Sequence, residues 1–208
     1  MKLQTTAMIL QRKHLRIPIV TAIFLLQAGT SGAGDEQLPV SRCLADGQGY
    51  FRARISGSID AELDWANEGT ACTGAIRPNG GVRMRFSHPF GKPGQSLVFV
   101  FGIPSLKEGQ PARNVPVNLT VIREGAGQFF GTAGDDKCLI DEVHQEAIAG
   151  IPLRNRSYRV VGRGFCMQPA PAVRGKGSVL MTRFDFSGRV DFLEEDETDE
   201  LIPKSEGQ

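Results

Sequence analysis

Four arginines alternate with apolar residues in two short stretches. Arg52 and Arg54 lie between Phe51, Ala53 and Ile55, and Arg83 and Arg85 lie between Val82, Met84 and Phe86. A period of two places such residues on the outer side of half-buried strands. A row of guanidinium groups on one sheet face would attract an anionic glycan, a lipid headgroup or nucleic acid. The chain also holds the counter-argument, because Glu62 and Asp64 take the outward positions of the next alternating stretch, Ala61 to Trp65. A hairpin through Gly57-Ser58 would bring these carboxylates opposite the first two arginines and convert a basic stripe into cross-strand ion pairs. No aromatic residues interleave with the arginines on the exposed side, which makes nucleic acid the weakest of the three ligands.

A second group, Asp135, Asp136, Asp141 and Glu142 with His144, surrounds Cys138. Clustered carboxylates of this kind could hold a calcium ion in a secreted domain. Their spacing follows no calcium-loop pattern, and Asp135-Asp136 sits in a Gly-rich turn where acids are common in any case. No other cofactor is indicated. Support for catalysis is thinner. Beyond residue 33 the histidines are His88, followed by a proline, and His144, and the chain contains no G-x-S-x-G, H-E-x-x-H or P-loop pattern. A hydrolase centred on His144, with Asp141 and one of many serines, is the triad considered, and spacing alone does not establish triad geometry. Gly162-Arg163-Gly164 lacks the third glycine of a dinucleotide fingerprint and reads as a flexible strand end near Cys166.

The four cysteines, Cys43, Cys72, Cys138 and Cys166, are even in number and all follow the N-terminal apolar stretch. Three pairings are open to them. The near-equal separations favour Cys43–Cys72 and Cys138–Cys166, each closing a loop worth about 3.5 kcal/mol in the chain-entropy account. Zinc ligation fails on spacing, since there is no C-x-x-C. After Cys72 and after Cys166 a turn leads into similar strings, Val82–Phe86 and Val179–Phe184, which raises an internal duplication as a reading.

Residues 1–33 read as a signal peptide: Lys2, Arg12, Lys13 and Arg16, then a nearly unbroken apolar run from Ile17 to Ala28, then small residues with cleavage after Ala33. Met8 would give a more compact start. The run is shorter than the roughly 20 residues that cross a bilayer, and no transmembrane segment is expected in the mature chain. Without the leader the charge divides sharply. Residues 34–193 hold 19 basic and 16 acidic groups, a net of +3, whereas residues 194–208 hold one and seven, a net of −6. The first is the size of one domain. The second, led by Glu194-Glu195-Asp196-Glu197, is expected to be a disordered acidic tail through self-repulsion. It is also a candidate to fold over the arginine face and compete with an external anion.

Positioning these groups falls to strands. Besides the three alternating stretches, Leu97 to Ile103 is apolar except at Gly102, and 115–123, 127–132, 137–144, 157–163, 178–186 and 189–193 have strand character. Pro78-Asn79-Gly80-Gly81 suits a tight hairpin, and Ser187-Gly188 suits a second one. About nine or ten short strands and two disulfides predict an all-β domain, an antiparallel sandwich with a barrel as the alternative. The expected function is that of an exported, non-enzymatic binding or accessory protein of the cell envelope, periplasm or extracellular space. Its partner would be an anionic glycan, a lipid headgroup or an envelope protein. An envelope assembly protein using sheet-edge pairing is the structural alternative.

Overall fold

Alternating burial builds eleven strands and, among the described residues, no helix. The computed structural model describes residues 41–78, 80–149 and 155–193, so the expected leader and the acidic segment 194–208 lie outside the described residues. The strands are β1 (Tyr50–Gly57), β2 (Ala61–Ala66), β3 (Ala71–Ile76), β4 (Val82–Pro89), β5 (Ser96–Ile103) and β6 (Ala112–Glu124). They continue with β7 (Gln128–Gly131), β8 (Cys138–Ala147), β9 (Asn155–Cys166), β10 (Ala170–Pro171) and β11 (Ser178–Leu193). Hydrogen bonding follows the order β2-β1-β11-β3-β4-β5-β6-β8-β9, and β9 pairs again with β11, so the path returns on itself. Every pairing is antiparallel except β3 with β11, which meet in parallel at Ala75 and Asp191.

Strand β11 organises this arrangement. One of its edges pairs with β9 from Phe184 to Leu193. It also pairs with β1 through Val179 to Ser187, and beyond that with β3 at Asp191. The hairpin expected at Ser187-Gly188 is therefore absent, and the strand runs straight through. The reason is packing: a side chain on Gly188 would meet the Phe86 ring, with a Cβ only 2.8 Å from Cζ, so this glycine makes room for an aromatic instead of turning the chain. The same explanation corrects the reading of Gly162 and Gly164. Both lie inside β9, where a Cβ on either would stand 2.8 Å from the Phe186 or Phe184 ring. These glycines are where phenylalanines press against bare backbone. Strand β3 was not expected at all. Ala-Cys-Thr-Gly-Ala-Ile offers no large alternating residues, and its place depends on Gly74, which comes within contact of the Arg189 carbonyl and Val190.

Inward positions assemble a continuous apolar core. Phe51, Phe86, Phe99, Phe101 and Phe186 are fully buried or nearly so. Phe51 stacks on Phe99 at 4.6 Å between centroids and on Phe86 at 5.2 Å, and Phe101 meets Phe184 at 5.1 Å. Each such ring removes enough apolar surface from water to contribute about 2–3 kcal/mol. One residue more in β11 than in β1 between Arg54 and Ile55 keeps Ile55 facing Met181 in the core.

Both disulfides form with the favoured connectivity, Cys43–Cys72 and Cys138–Cys166. Their settings differ. Cys138 and Cys166 are direct cross-strand partners of β8 and β9. Cys43 precedes β1 and ties it to β3, with its sulfur 3.4 Å from the Ser187 carbonyl oxygen. That bridge sits where β11 changes neighbour from β1 to β3. Stable disulfides belong in an oxidising, extracytoplasmic compartment, and no helix among the described residues is long and apolar enough to cross a membrane.

Gly164→Ala should lower the free energy of unfolding by about 3 kcal/mol, because its Cβ would collide with the Leu139 carbonyl and the Ile140 backbone. Gly131→Ala, whose Cβ meets nothing nearer than 4.0 Å, should change it by less than about 0.5 kcal/mol. Urea unfolding of the two variants checks both, and equal stability would refute the packing role of Gly164.

Candidate functional site

Outward side chains on β2, β1, β11, β9, β8 and β6 form a ladder of alternating charge. In register across six strands stand Asp64, Arg52, Asp185, Arg163, Glu142 and Arg113. Arg52 Nε is 2.9 Å from Asp64, Arg163 is 3.0 Å from Glu142, and Arg113 is 2.9 Å from Glu142. Partial burial pulls the Glu142 pKa up, and Arg113, His144 and Arg163 together pull it further down, leaving the carboxyl below the ordinary carboxylate range. Tyr50, on the next row, donates to Asp185 at 2.7 Å. Burial first, and this hydrogen bond second, push its hydroxyl up to about 12.

The hairpin expected through Gly57-Ser58 is present, with Arg52 facing Asp64 and Arg54 facing Glu62. Arg54 also reaches Asp60 at 2.9 Å. Arg85 pairs with Glu124 at 3.2 Å and donates to Ser87. The Ser96 hydroxyl donates to the same glutamate at 2.6 Å, and this bond, opposed by slight burial and assisted by Arg85, lowers the Glu124 pKa. Three of the four candidate arginines, Arg52, Arg54 and Arg85, are thus neutralised by partners in contact. The four do not make one stripe either, because β1 and β4 are separated by β11 and β3 in the pairing order.

Arg83 is different. It faces Ala75 on β3 and Gly102 on β5, and its exposed side chain makes no ion pair or hydrogen bond among the described residues. A second arginine, not singled out by the sequence, joins it. Arg77 begins the β3–β4 turn, its amide donating to Gly81 at 3.1 Å, while its own carbonyl accepts from Gly80 at 2.9 Å. Gly81 has a φ of +72° and lies against the Ile103 carbonyl and Pro104, so the turn is held down on the end of β5. From there the Arg77 side chain lies over Gly102, with Nη1 3.2 Å from where a Cβ would be. Its guanidinium likewise has no carboxylate or other hydrogen-bonding partner among the described residues.

These two arginines flank a groove of about 480 Å³ whose lining also includes the apolar Ala75 and Val100 and the polar Asn118 and Thr120. Among the described residues no carboxylate lines it. Asp191, in register with Ala75, is engaged by Arg189 at 2.6 Å and by Ser157, so it does not serve Arg83. By contrast, a groove of about 420 Å³ near Arg52 and Arg183 also holds Glu62, Asp64 and Asp185. Two unneutralised guanidinium groups beside a concave, partly apolar lining are suited to a planar or tetrahedral oxyanion with several acceptor oxygens.

The remaining candidates are dispersed. Asp135 and Asp136 are exposed in the bend before β8, Asp141 is exposed at a bulge in β8, and Glu142 is held by two arginines. No group of three or more His, Cys, Asp or Glu side chains suited to a metal ion occurs among the described residues. His144 Nε2 lies 3.2 Å from Glu142. It shares a groove with Ser187, whose buried hydroxyl has no partner among the described residues, but β9 with Val161 stands between them. Two strand spacings separate their backbones by about 10 Å, beyond the reach of a nucleophile–base hydrogen bond.

The fold and site together define an all-β, disulfide-stapled domain in which Arg77 and Arg83 flank one groove with no contacting acid among the described residues. Among known proteins no family model, no curated sequence and no solved structure matches the chain.

A carboxylate whose pKa is lowered on folding contributes stability that is present at neutral pH and lost as pH falls through the carboxylate range. Wild type should therefore exceed Glu124→Gln in stability at neutral pH, with the difference shrinking as the solution is acidified. Urea midpoints across the acid range measure this, and a gap independent of pH would contradict the pairing.

Proposed function

We propose that the protein is an exported, non-enzymatic binding domain of the cell envelope or extracellular space that holds an anionic glycan. The observation that carries this reading is the Arg77–Arg83 pair: both guanidinium groups border one groove, and among the described residues neither meets a carboxylate and none lines the groove. By contrast, Arg52, Arg85, Arg113 and Arg183 on the outer face are each matched by a contacting acid. The apolar lining and the amide and hydroxyl of Asn118 and Thr120 suit a sugar that carries sulfate or carboxylate groups, since such a ring presents both polar and apolar edges. The two disulfides fit the exported setting.

A second reading, strand addition to an assembly partner, draws on β2, which ends the pairing order with β1 as its sole neighbour among the described residues. It is supported less well, because Asp60, Glu62 and Asp64 place charge along this short edge, a feature that discourages edge pairing.

The test is retention on immobilised heparin, with Arg77→Ala/Arg83→Ala compared against Arg52→Ala/Arg54→Ala. Removal of the groove arginines should weaken binding about tenfold or more, the effect of losing one to two charge-assisted contacts. Removal of the paired arginines of β1 should have little effect. Equal losses in the two variants, or no retention of the wild type at low salt, would overturn the reading.

A further inference from the structure

We infer that the acidic segment 194–200 of the same chain is the resident occupant of the Arg77–Arg83 groove and that an external polyanion binds by displacing it. This rests on the anion-binding reading of the groove and adds a regulator to it.

The argument begins with register. Strands β3 and β11 run in the same direction where Ala75 pairs with Asp191. Two residues further, β11 reaches its last residue, Leu193, at the level at which β3 gives way to Arg77. The chain that follows therefore starts beside the groove. Its first residues are Glu194-Glu195-Asp196-Glu197-Thr198-Asp199-Glu200, six acids in seven positions. Reach is sufficient: β4 and β5 lie one and two strand spacings from β3, about 10 Å in all, and four extended residues span about 13 Å.

Charge supplies the second half. The body from 34 to 193 carries a net +3 and the segment from 194 to 208 a net −6. Acids near the segment's origin are already committed, Asp191 to Arg189 and Ser157, so they do not satisfy the two arginines in its place. A segment tethered this closely has an effective concentration in the millimolar range. With submillimolar intrinsic affinity it would fill the groove about four-fifths of the time, and a monovalent anion would compete poorly. A polyanion presenting many charges could displace it.

Labelling by phenylglyoxal, an arginine-specific reagent, read by peptide mass spectrometry, tests seating without any external ligand. The full chain is compared with a variant of equal length carrying Glu194→Gln, Glu195→Gln, Asp196→Asn, Glu197→Gln, Asp199→Asn and Glu200→Gln. At low salt, Arg77 and Arg83 should label about fivefold more slowly in the full chain, and the difference should vanish at high salt. The exposed Arg174 serves as control and should label alike in both. Equal labelling of the groove arginines, or a rise shared by Arg174, would overturn the inference. Heparin retention separates it from the reading on which it rests. Protection without retention means that the segment seats but the groove does not serve glycans. Retention without protection keeps the glycan reading and discards the segment as occupant.

Discussion

Contact between phenylalanine rings and glycine backbone is the constraint on which this architecture depends. Phe184 and Phe186 of β11 point inward while the same strand bonds to β9, and the rings have room only because β9 offers Gly164 and Gly162 beside them. Phe86 of β4 in turn lies against Gly188 of β11. A methyl group at any of these positions would force ring and strand apart, and dense interiors tolerate such insertions poorly. With the rings seated, β11 can be long and continuous enough to bond β9 along one edge and β1 and then β3 along the other. The pairing path closes through it for that reason.

A strand that changes neighbour leaves a seam, and the seam is where the covalent staple and the groove both arise. Cys43–Cys72 joins the approach to β1 with β3 at the place where β11 passes from one to the other. Gly74 then lets β3 lie close to Arg189 and Val190. Position of β3 decides where Ala75 and Arg77 stand, and hence that the groove has an apolar residue and an arginine in its lining. The geometry of the groove is thus a consequence of how β3 packs against β11. Along the ladder from β2 through β11 to β6, cross-strand register produces alternating signs, so basic groups there are satisfied locally and offer little net field to a ligand.

The sequence made strands legible wherever large apolar and polar residues alternate, as in β1, β2 and β4, and it made the opposition of Arg52 and Arg54 to acids legible through one short hairpin. Cysteine separations pointed to the pairing that forms. Two kinds of information were hidden. Glycine has no side chain by which to announce its role, so Ser187-Gly188 looked like a turn and Gly162 and Gly164 like a loose end, although each is defined by a ring arriving from a distant strand. Arg77 escaped notice because a turn residue has no face assigned by alternation. The available signal was Gly102, the lone gap in an apolar strand, which becomes a dent once Arg83 is placed opposite it. Arg83 itself was in the candidate set, but its difference from Arg85 depends on Glu124, 39 positions away.

The two groove arginines are mounted unequally, and this bears on what they suit. Arg83 is fixed by strand pairing on both sides, whereas Arg77 springs from a turn and gains its direction by lying over Gly102. An arginine side chain gives up on the order of 2 kcal/mol of rotamer freedom when fully fixed. Contact with the Gly102 dent has removed part of that freedom before any ligand arrives, but Arg83 remains exposed and keeps most of its own. A single small anion must then order Arg83 in exchange for a few solvent-screened hydrogen bonds, which leaves little net affinity. A polymer with repeating charge loses only local contacts when one group departs, and the next group is already near, so the ordering cost is met repeatedly at high local concentration. The same reasoning applies to a run of six acids attached at the groove's edge. Under the anion-binding role proposed for the groove, the arrangement therefore favours polyanions over monovalent ones.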